Sequence, residues 1–199
     1  VVDGQSVSRN PEAYPSELSG VSYGEDELDW LSSGHIVIGA SDTRLDGFTI
    51  VNGTTTGTIA ATSFDVVALE DPDYWGAGMW NYGLEKLRVH DCRFVQNISE
   101  VGGGALFCED SQVDLTRCQF WYNTAWREVS AGADPACYGG AIAARGGTLR
   151  IENTLFAANA AGGALGAEGW GGAVAALPGA SIRFIHCTFG NNNRSEERR

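Results

Sequence analysis

Three arginines, Arg88, Arg150 and Arg183, share with Asp114 one position of a recurring pattern. A guanidinium column of this kind suits bidentate capture of carboxylates, such as those of an acidic polysaccharide. It reads equally as a solvated ladder with Asp114 lying between Arg88 and Arg150, each pair contributing less than ~1 kcal/mol. A second group joins carboxylates to aromatic rings: Asp71, Asp73, Tyr74 and Trp75 in one segment, Trp126 and Asp134 in another, and Trp170 in a third. Such a set can stack on sugars, ligate Ca²⁺ or dock another subunit. Alternatively, Trp75 and Trp170 do no more than cover an edge of the fold.

The remaining reactive side chains point away from catalysis. Five cysteines cannot all pair within one chain. Cys92, Cys118 and Cys187 share one repeat position with Thr154 and read as small core residues. Cys108 and Cys137 lie outside that column and pair only if an intervening loop folds back. No Cys-x-x-Cys or adjacent His suggests zinc, and His35, His90 and His186 occupy unrelated positions. A lyase would need a base beside the uronate, yet Lys86 is the single lysine. A hydrolase would need facing carboxylates, and Asp110, Asp114 and Glu152 form no recurring pair. No catalytic residue is assigned, and no cofactor is required; Ca²⁺ stays compatible with the acidic loops.

These side chains must be positioned by a repeat. Four segments align: WGAGMWNYGLEKLRVHDCRFVQN, VGGGALFCEDSQVDLTRCQFWYN, CYGGAIAARGGTLRIENTLFAAN and WGGAVAALPGASIRFIHCTFGNN, with a degenerate copy ending in TRLDGFTIVNG. In each, apolar residues step by two, slip by one and step by two again, as in Leu87, Val89, then Cys92, Phe94. A step of two is a strand with one buried face, and the slip is a corner that re-aims the chain. The pattern predicts an all-β fold, a right-handed parallel β-helix of about five to six coils with three short strands per coil: Gly-Gly-Ala, Leu-x-Ile and Cys-x-Phe.

Stacked coils would place Phe94, Phe120, Phe156 and Phe189 in an aromatic column, and Asn97, Asn123, Asn159 and Asn192 in a ladder of amides that satisfy one another. Repeat spacings of 26, 36 and 33 residues leave the excess after the Asn corner. The segments 54–74, 124–136 and 160–169 are therefore expected to be loops gathered on one edge, a common binding face in repeat proteins.

With 27 glycines, 5 prolines and 43% hydrophobic residues, the chain suits a turn-rich β domain rather than disorder. A net charge of −12 argues against nucleic acid as a partner. No apolar run is long enough for a transmembrane segment. One domain spans 1–199: leading coils with an acidic loop over 1–42, repeated coils over 43–193 and a polar tail over 194–199. Val1 to Gly4 reads like part of an earlier coil, so the chain is expected either to belong to a longer protein or to meet other subunits at its ends.

GGGAL with FWYN, GGAI with FAAN and GGAV with FGNN resemble the Gly-Gly-Ala-(Ile/Leu/Val) and Phe-x-x-Asn repeats of the chlamydial polymorphic membrane proteins, within the broad pectate-lyase-like architecture. GAGM departs from that order. The resemblance implies an extracellular or cell-surface location and a structural or adhesive role, with self-association or another surface protein or polysaccharide as partner. The loop edge would be the contact surface, and end-to-end assembly into filaments is a further expectation. A polysaccharide-degrading enzyme is the rival reading.

Overall fold

A computed structural model describes residues 16–23, 30–32, 34–55, 72–127, 136–163 and 168–194. These build an all-β structure dominated by parallel sheets. The Phe sheet stacks Ser16–Ser19, Phe48–Val51, Arg93–Val95, Gln119–Trp121, Leu155–Ala157 and Thr188–Gly190 in that order. The middle sheet stacks Arg44–Asp46, Leu87–His90, Gln112–Thr116, Thr148–Glu152 and Ser181–Ile185. The Gly sheet stacks Val37–Ile38, Met79–Tyr82, Leu106–Glu109, Ile142–Arg145 and Val174–Ala176. Every strand in these sheets pairs with its equivalent one repeat away, so Phe94 faces Phe120 and Leu115 faces Ile151.

The expected three strands per repeat are corrected to four. Thr54–Thr55, Ile98–Ser99, Thr124–Arg127, Ala160–Gly163 and Asn193–Arg194 form a further parallel sheet just past the Asn corner. The three long segments expected to be loops from their first residue therefore begin as strands. Sequences such as Ile-Ser and Ala-Ala-Gly-Gly are too short and too weakly alternating to announce a strand. Their backbone groups are nonetheless held by the rungs above and below. A fifth, partial ladder runs from Trp75 through Gly102 and Tyr138 to Trp170. The leading region breaks the parallel pattern, because Val21–Tyr23 pairs antiparallel with Trp30–Ser32. The acidic run 25–27 and Asp29 lies outside the described residues.

The one-residue slips have a backbone cause. Between middle and Phe strands the chain passes through the left-handed region at Gly47, Asp91, Arg117, Asn153 and His186. Before each Asn position it does so again at Asn52, Gln96, Tyr122, Ala158 and Asn191. Each such residue reverses the inward face and turns the chain. A non-glycine residue in this region costs about 1–2 kcal/mol, so the surrounding ladders must hold it there. Gly103, with φ of 60°, makes the equivalent turn into the Gly sheet; a Cβ on the next residue, Gly104, would strike backbone atoms of Gly140 and Thr124. That close approach explains the glycine pair.

The core lies between the sheets. Leu87, Val89, Val113, Leu115, Leu149 and Ile151 fill it from the middle sheet, and Met79, Leu106 and Ile142 from the Gly sheet. Phe94, Phe120, Phe156 and Phe189 stack with ring centroids 4.8, 5.0 and 4.8 Å apart and nearly parallel planes. The first three are fully buried, while Phe189 on the last described rung is 48% exposed.

Beside the rings, Asn97 Nδ2 donates to Asn123 Oδ1 at 2.9 Å, Asn123 Nδ2 to Asn159 Oδ1 at 3.0 Å and Asn159 Nδ2 to Asn192 Oδ1 at 2.9 Å. Those three Nδ2 groups, and that of Asn192, also donate to carbonyls one repeat earlier: Asn97 to Ile50, Asn123 to Phe94, Asn159 to Phe120 and Asn192 to Phe156. Gly53, at the Asn position of the degenerate copy, donates its N–H to Asn97 Oδ1.

Candidate functional site

The outward face of the middle sheet gathers four cations, Lys86, Arg88, Arg150 and Arg183, in this acidic protein. Alternation along each strand sends Leu87, Val113, Leu149 and Ile182 inward and Arg88, Asp114, Arg150 and Arg183 outward. Strand register then stacks Arg44, Arg88, Asp114, Arg150 and Arg183 one above another. The surface is dished into a shallow groove of about 300 Å³ lined by Lys86, Arg88, Gln112, Asp114, Thr148, Arg150, Ser181 and Arg183, among others.

The cations differ in how they are neutralised. Arg44 pairs with Asp46 at 2.6 Å, Arg150 with Glu152 at 2.6 Å and Lys86 with Asp42 at 3.5 Å. Among the described residues Arg88 and Arg183 form no ion pair, and Asp114 forms none either. Asp114 lies between Arg88 and Arg150 in register, where the ladder reading expects it, but it pairs with neither: Arg150 turns to Glu152 two residues along its own strand. One column over, Gln112, Thr148 and Ser181 stand exposed in a row of uncharged hydrogen-bonding groups. Sequence reading had not singled out this row. Its signal was present, since each member lies two residues ahead of Asp114, Arg150 or Arg183 and therefore shares their face.

On the far side of the arginine column stands His90, opposite Asp46 and Thr116. Partial burial, and then the nearby guanidinia of Arg44 and Arg117, lower its pKa below the ordinary 6.5. Arg117 itself is held by a two-pronged contact with Asp91 at 2.8 and 2.7 Å.

The expected loop edge is only partly assembled. Asp71 and Asp134 lie outside the described residues. Asp73 is exposed on a single turn, Pro72–Tyr74, and Tyr74 is half-buried. Trp75 is corrected from a surface residue to a core one. Only 1% exposed, it stacks on Phe107 at 4.4 Å and on Tyr138 at 6.1 Å, with the Arg145 guanidinium 5.9 Å from its ring. Absence of a side chain at Gly102 makes room for the indole, whose atoms would lie 2.6 Å from a Cβ there. Trp126 and Trp170 are exposed, at 47% and 54%, on separate ladders.

The thiols are structural. All five cysteines are free. Cys92, Cys118 and Cys187, with Thr154 in the same column, donate to the carbonyl two residues back, that of His90, Thr116, Ile185 and Glu152 respectively. Each therefore satisfies a carbonyl beside the left-handed corner. Burial pushes the Cys108 and Cys118 thiols up to about 12. Burial likewise raises Cys137 to about 11, against the opposing pull of Arg127. Such thiols are protonated at neutral pH and poor nucleophiles. Among the described residues no three His, Cys, Asp or Glu side chains cluster as metal ligands.

No protein-family model, curated protein or solved structure matches the chain.

Proposed function

We propose that this chain is a right-handed parallel β-helix of the Phe-x-x-Asn repeat type and serves as a secreted or cell-surface structural and adhesive module. The observation that carries this reading is the unbroken Asn97–Asn123–Asn159–Asn192 ladder beside the stacked phenylalanines. Phe and Asn repeated on four successive rungs make a regular shaft, while the charged and polar side chains of the middle sheet face outward. A shaft with differentiated faces suits holding and presenting a contact surface. The middle-sheet groove and exposed Trp126 and Trp170 supply such surfaces. The last described rung leaves Phe184 and Phe189 exposed at 42% and 48% over a hollow lined by Ala173, Val174 and Asn192.

The polysaccharide-degrading alternative rests on Asp114, a carboxylate without an ion pair in a groove of arginines. One assay separates the two. Incubation of the chain with a panel of polyuronates, followed by ultraviolet absorbance for unsaturated products and by reducing-end titration, is expected to show no turnover. Cleavage that disappears in Asp114→Asn would replace the adhesive reading with the enzymatic one.

A further inference from the structure

We propose that Asn52 is a site of spontaneous covalent modification, deamidation through a succinimide closed onto Gly53. Asn97, the first amide of the buried ladder, is the latch that keeps this site shut in the folded chain.

Sequence makes the first argument. Asn52 is the one asparagine in the chain that is followed by glycine. Glycine has no Cβ to shield its backbone nitrogen, so that nitrogen can reach the side-chain carbonyl carbon of the residue before it. Having lost its proton to solvent, the Gly53 nitrogen bonds to Asn52 Cγ. The Cγ–Nδ2 bond breaks, and Nδ2 takes up a proton and leaves as ammonia. Water then opens the ring at either carbonyl, giving aspartate or isoaspartate, the latter with its main chain routed through Cγ and longer by a methylene. Packing is what requires glycine here, because a Cβ at Gly53 would lie 2.3 Å from the Ala77 carbonyl oxygen. At the same position of the later rungs stand Asn97, Asn123, Asn159 and Asn192, each with a Cβ.

Geometry makes the second argument. Asn52 is half-buried at a left-handed corner, with φ of 61°, a conformation that asparagine tolerates better than most residues. Its N–H donates to Val95 O at 3.2 Å, and Gly53 O accepts the Ile98 N–H at 2.8 Å. The Gly53 N–H, on the nitrogen that must attack, donates to Asn97 Oδ1 at 2.9 Å. Asn97 Nδ2 also donates to Ile50 O at 3.1 Å, so a single amide straddles the corner. Strands on both sides are locked in register, Val51 against Val95 and Thr54–Thr55 against Ile98–Ser99. Ring closure must turn the Asn52–Gly53 peptide out of these bonds. The extra methylene of isoaspartate fits neither register, so the modification, once made, loosens its rung. Isoaspartate at position 52 therefore accumulates with each opening of this corner.

The test is incubation of the intact chain in mildly alkaline buffer, folded and in urea. Peptide mapping by mass spectrometry reads amide-to-acid conversion, and enzymatic methylation reads isoaspartate. In urea Asn52 should convert faster than every other asparagine, including Asn191, which shares the left-handed corner but precedes a residue with a Cβ. The folded chain should convert Asn52 at least about tenfold more slowly, as for a group reached only by local opening. Asn97→Ala should raise the folded rate at least about tenfold, since it removes the latch from Gly53. Asn159→Ala, which removes an equivalent ladder amide two rungs away, should leave the rate near that of the unaltered chain. Circular dichroism checks that both variants are folded.

Conversion of another asparagine ahead of Asn52 in urea would overturn the site. Equal rates in the folded and unfolded chain would overturn the latch, as would a folded Asn97→Ala variant no faster than the unaltered chain or no faster than Asn159→Ala. Should Asn97→Ala fail to fold, hydrogen exchange of the unaltered chain decides. A Gly53 amide that exchanges as fast as an unstructured one would overturn the latch, and one slowed in step with Asn52 conversion would uphold it.

Discussion

Two columns in this molecule run along the same stack of rungs, and they obey opposite physics. Inside, Asn97, Asn123, Asn159 and Asn192 repeat an amide that is donor and acceptor at once, so each rung satisfies the next. Outside, the register runs Arg44, Arg88, Asp114, Arg150 and Arg183, so the facing cations Arg150 and Arg183 repel while Asp114 separates Arg88 from Arg150. Water and Glu152 moderate that repulsion without removing it. A repeated residue is therefore a stabilising device only where it is self-complementary. Where it is not, as between Arg150 and Arg183, repetition contributes no stability of its own.

The sharpest way to break this contrast is to remove one inner rung. Asn123 Nδ2 donates to Phe94 O and Asn159 Oδ1, and its own Oδ1 receives the Asn97 N–H at 3.1 Å and the Asn97 Nδ2 at 2.9 Å. Asn123→Ala strips partners from several buried groups at once. With each unsatisfied group costing about 1–3 kcal/mol, the loss should reach roughly 4 kcal/mol, read as a shifted midpoint in urea unfolding. Asn123→Asp keeps the volume but replaces the donor, facing a carboxylate oxygen towards Asn159 Oδ1. It should destabilise at neutral pH at least as strongly, whereas a mild effect would mean that packing, not the amide ladder, holds the rungs.

The inner column was legible in the sequence because burial restricts residue choice on every rung. A planar aromatic and a donor-acceptor amide recur on four rungs, with Ile50 and Gly53 taking their places on the degenerate one, and the register follows. The αL corners showed themselves less directly, as one-residue slips, because Asp91, Arg117, Asn153 and His186 share a backbone conformation and little else. The fourth strand was not legible. Its two to four residues owe their strand conformation to neighbouring rungs rather than to their own pattern. Trp75 was misplaced for a related reason: what buries it is the gap at Gly102 and the rings of Phe107 and Tyr138, none of which is close to it in sequence. The arginine column was visible, but its ion pairing was not. Whether Arg150 turns to Asp114 or to Glu152 depends on side-chain geometry, to which strand alternation is blind.

A smaller change sharpens the comparison from the backbone side. Ala158 sits at φ of 55° just before Asn159, held there by the ladder although its Cβ opposes the conformation. Ala158→Gly relieves about 1–2 kcal/mol of left-handed strain and gives back part of that as greater freedom of the unfolded chain. A net stabilisation of about 0.5–1 kcal/mol is expected in urea unfolding. A destabilisation would show that the Ala158 methyl makes packing contacts worth more than its strain.

The smallest expected effect is the most telling for the outer column. Arg88→Ala with Arg183→Ala removes two exposed cations that have no ion pair among the described residues, Arg183 facing Arg150 and Arg88 lying between Arg44 and Asp114. Exposed charges of this kind contribute within about ±0.5 kcal/mol, so the unfolding midpoint should stay level or rise slightly, and more so at low salt, where screening is weak. The contrast with Asn123→Ala would then be several-fold in free energy for substitutions in equally regular columns. Should the arginine variant lose more than about 1 kcal/mol, the aliphatic stems of Arg88 and Arg183 would be packing on the sheet as structural residues. The column would then owe its place to packing rather than to charge.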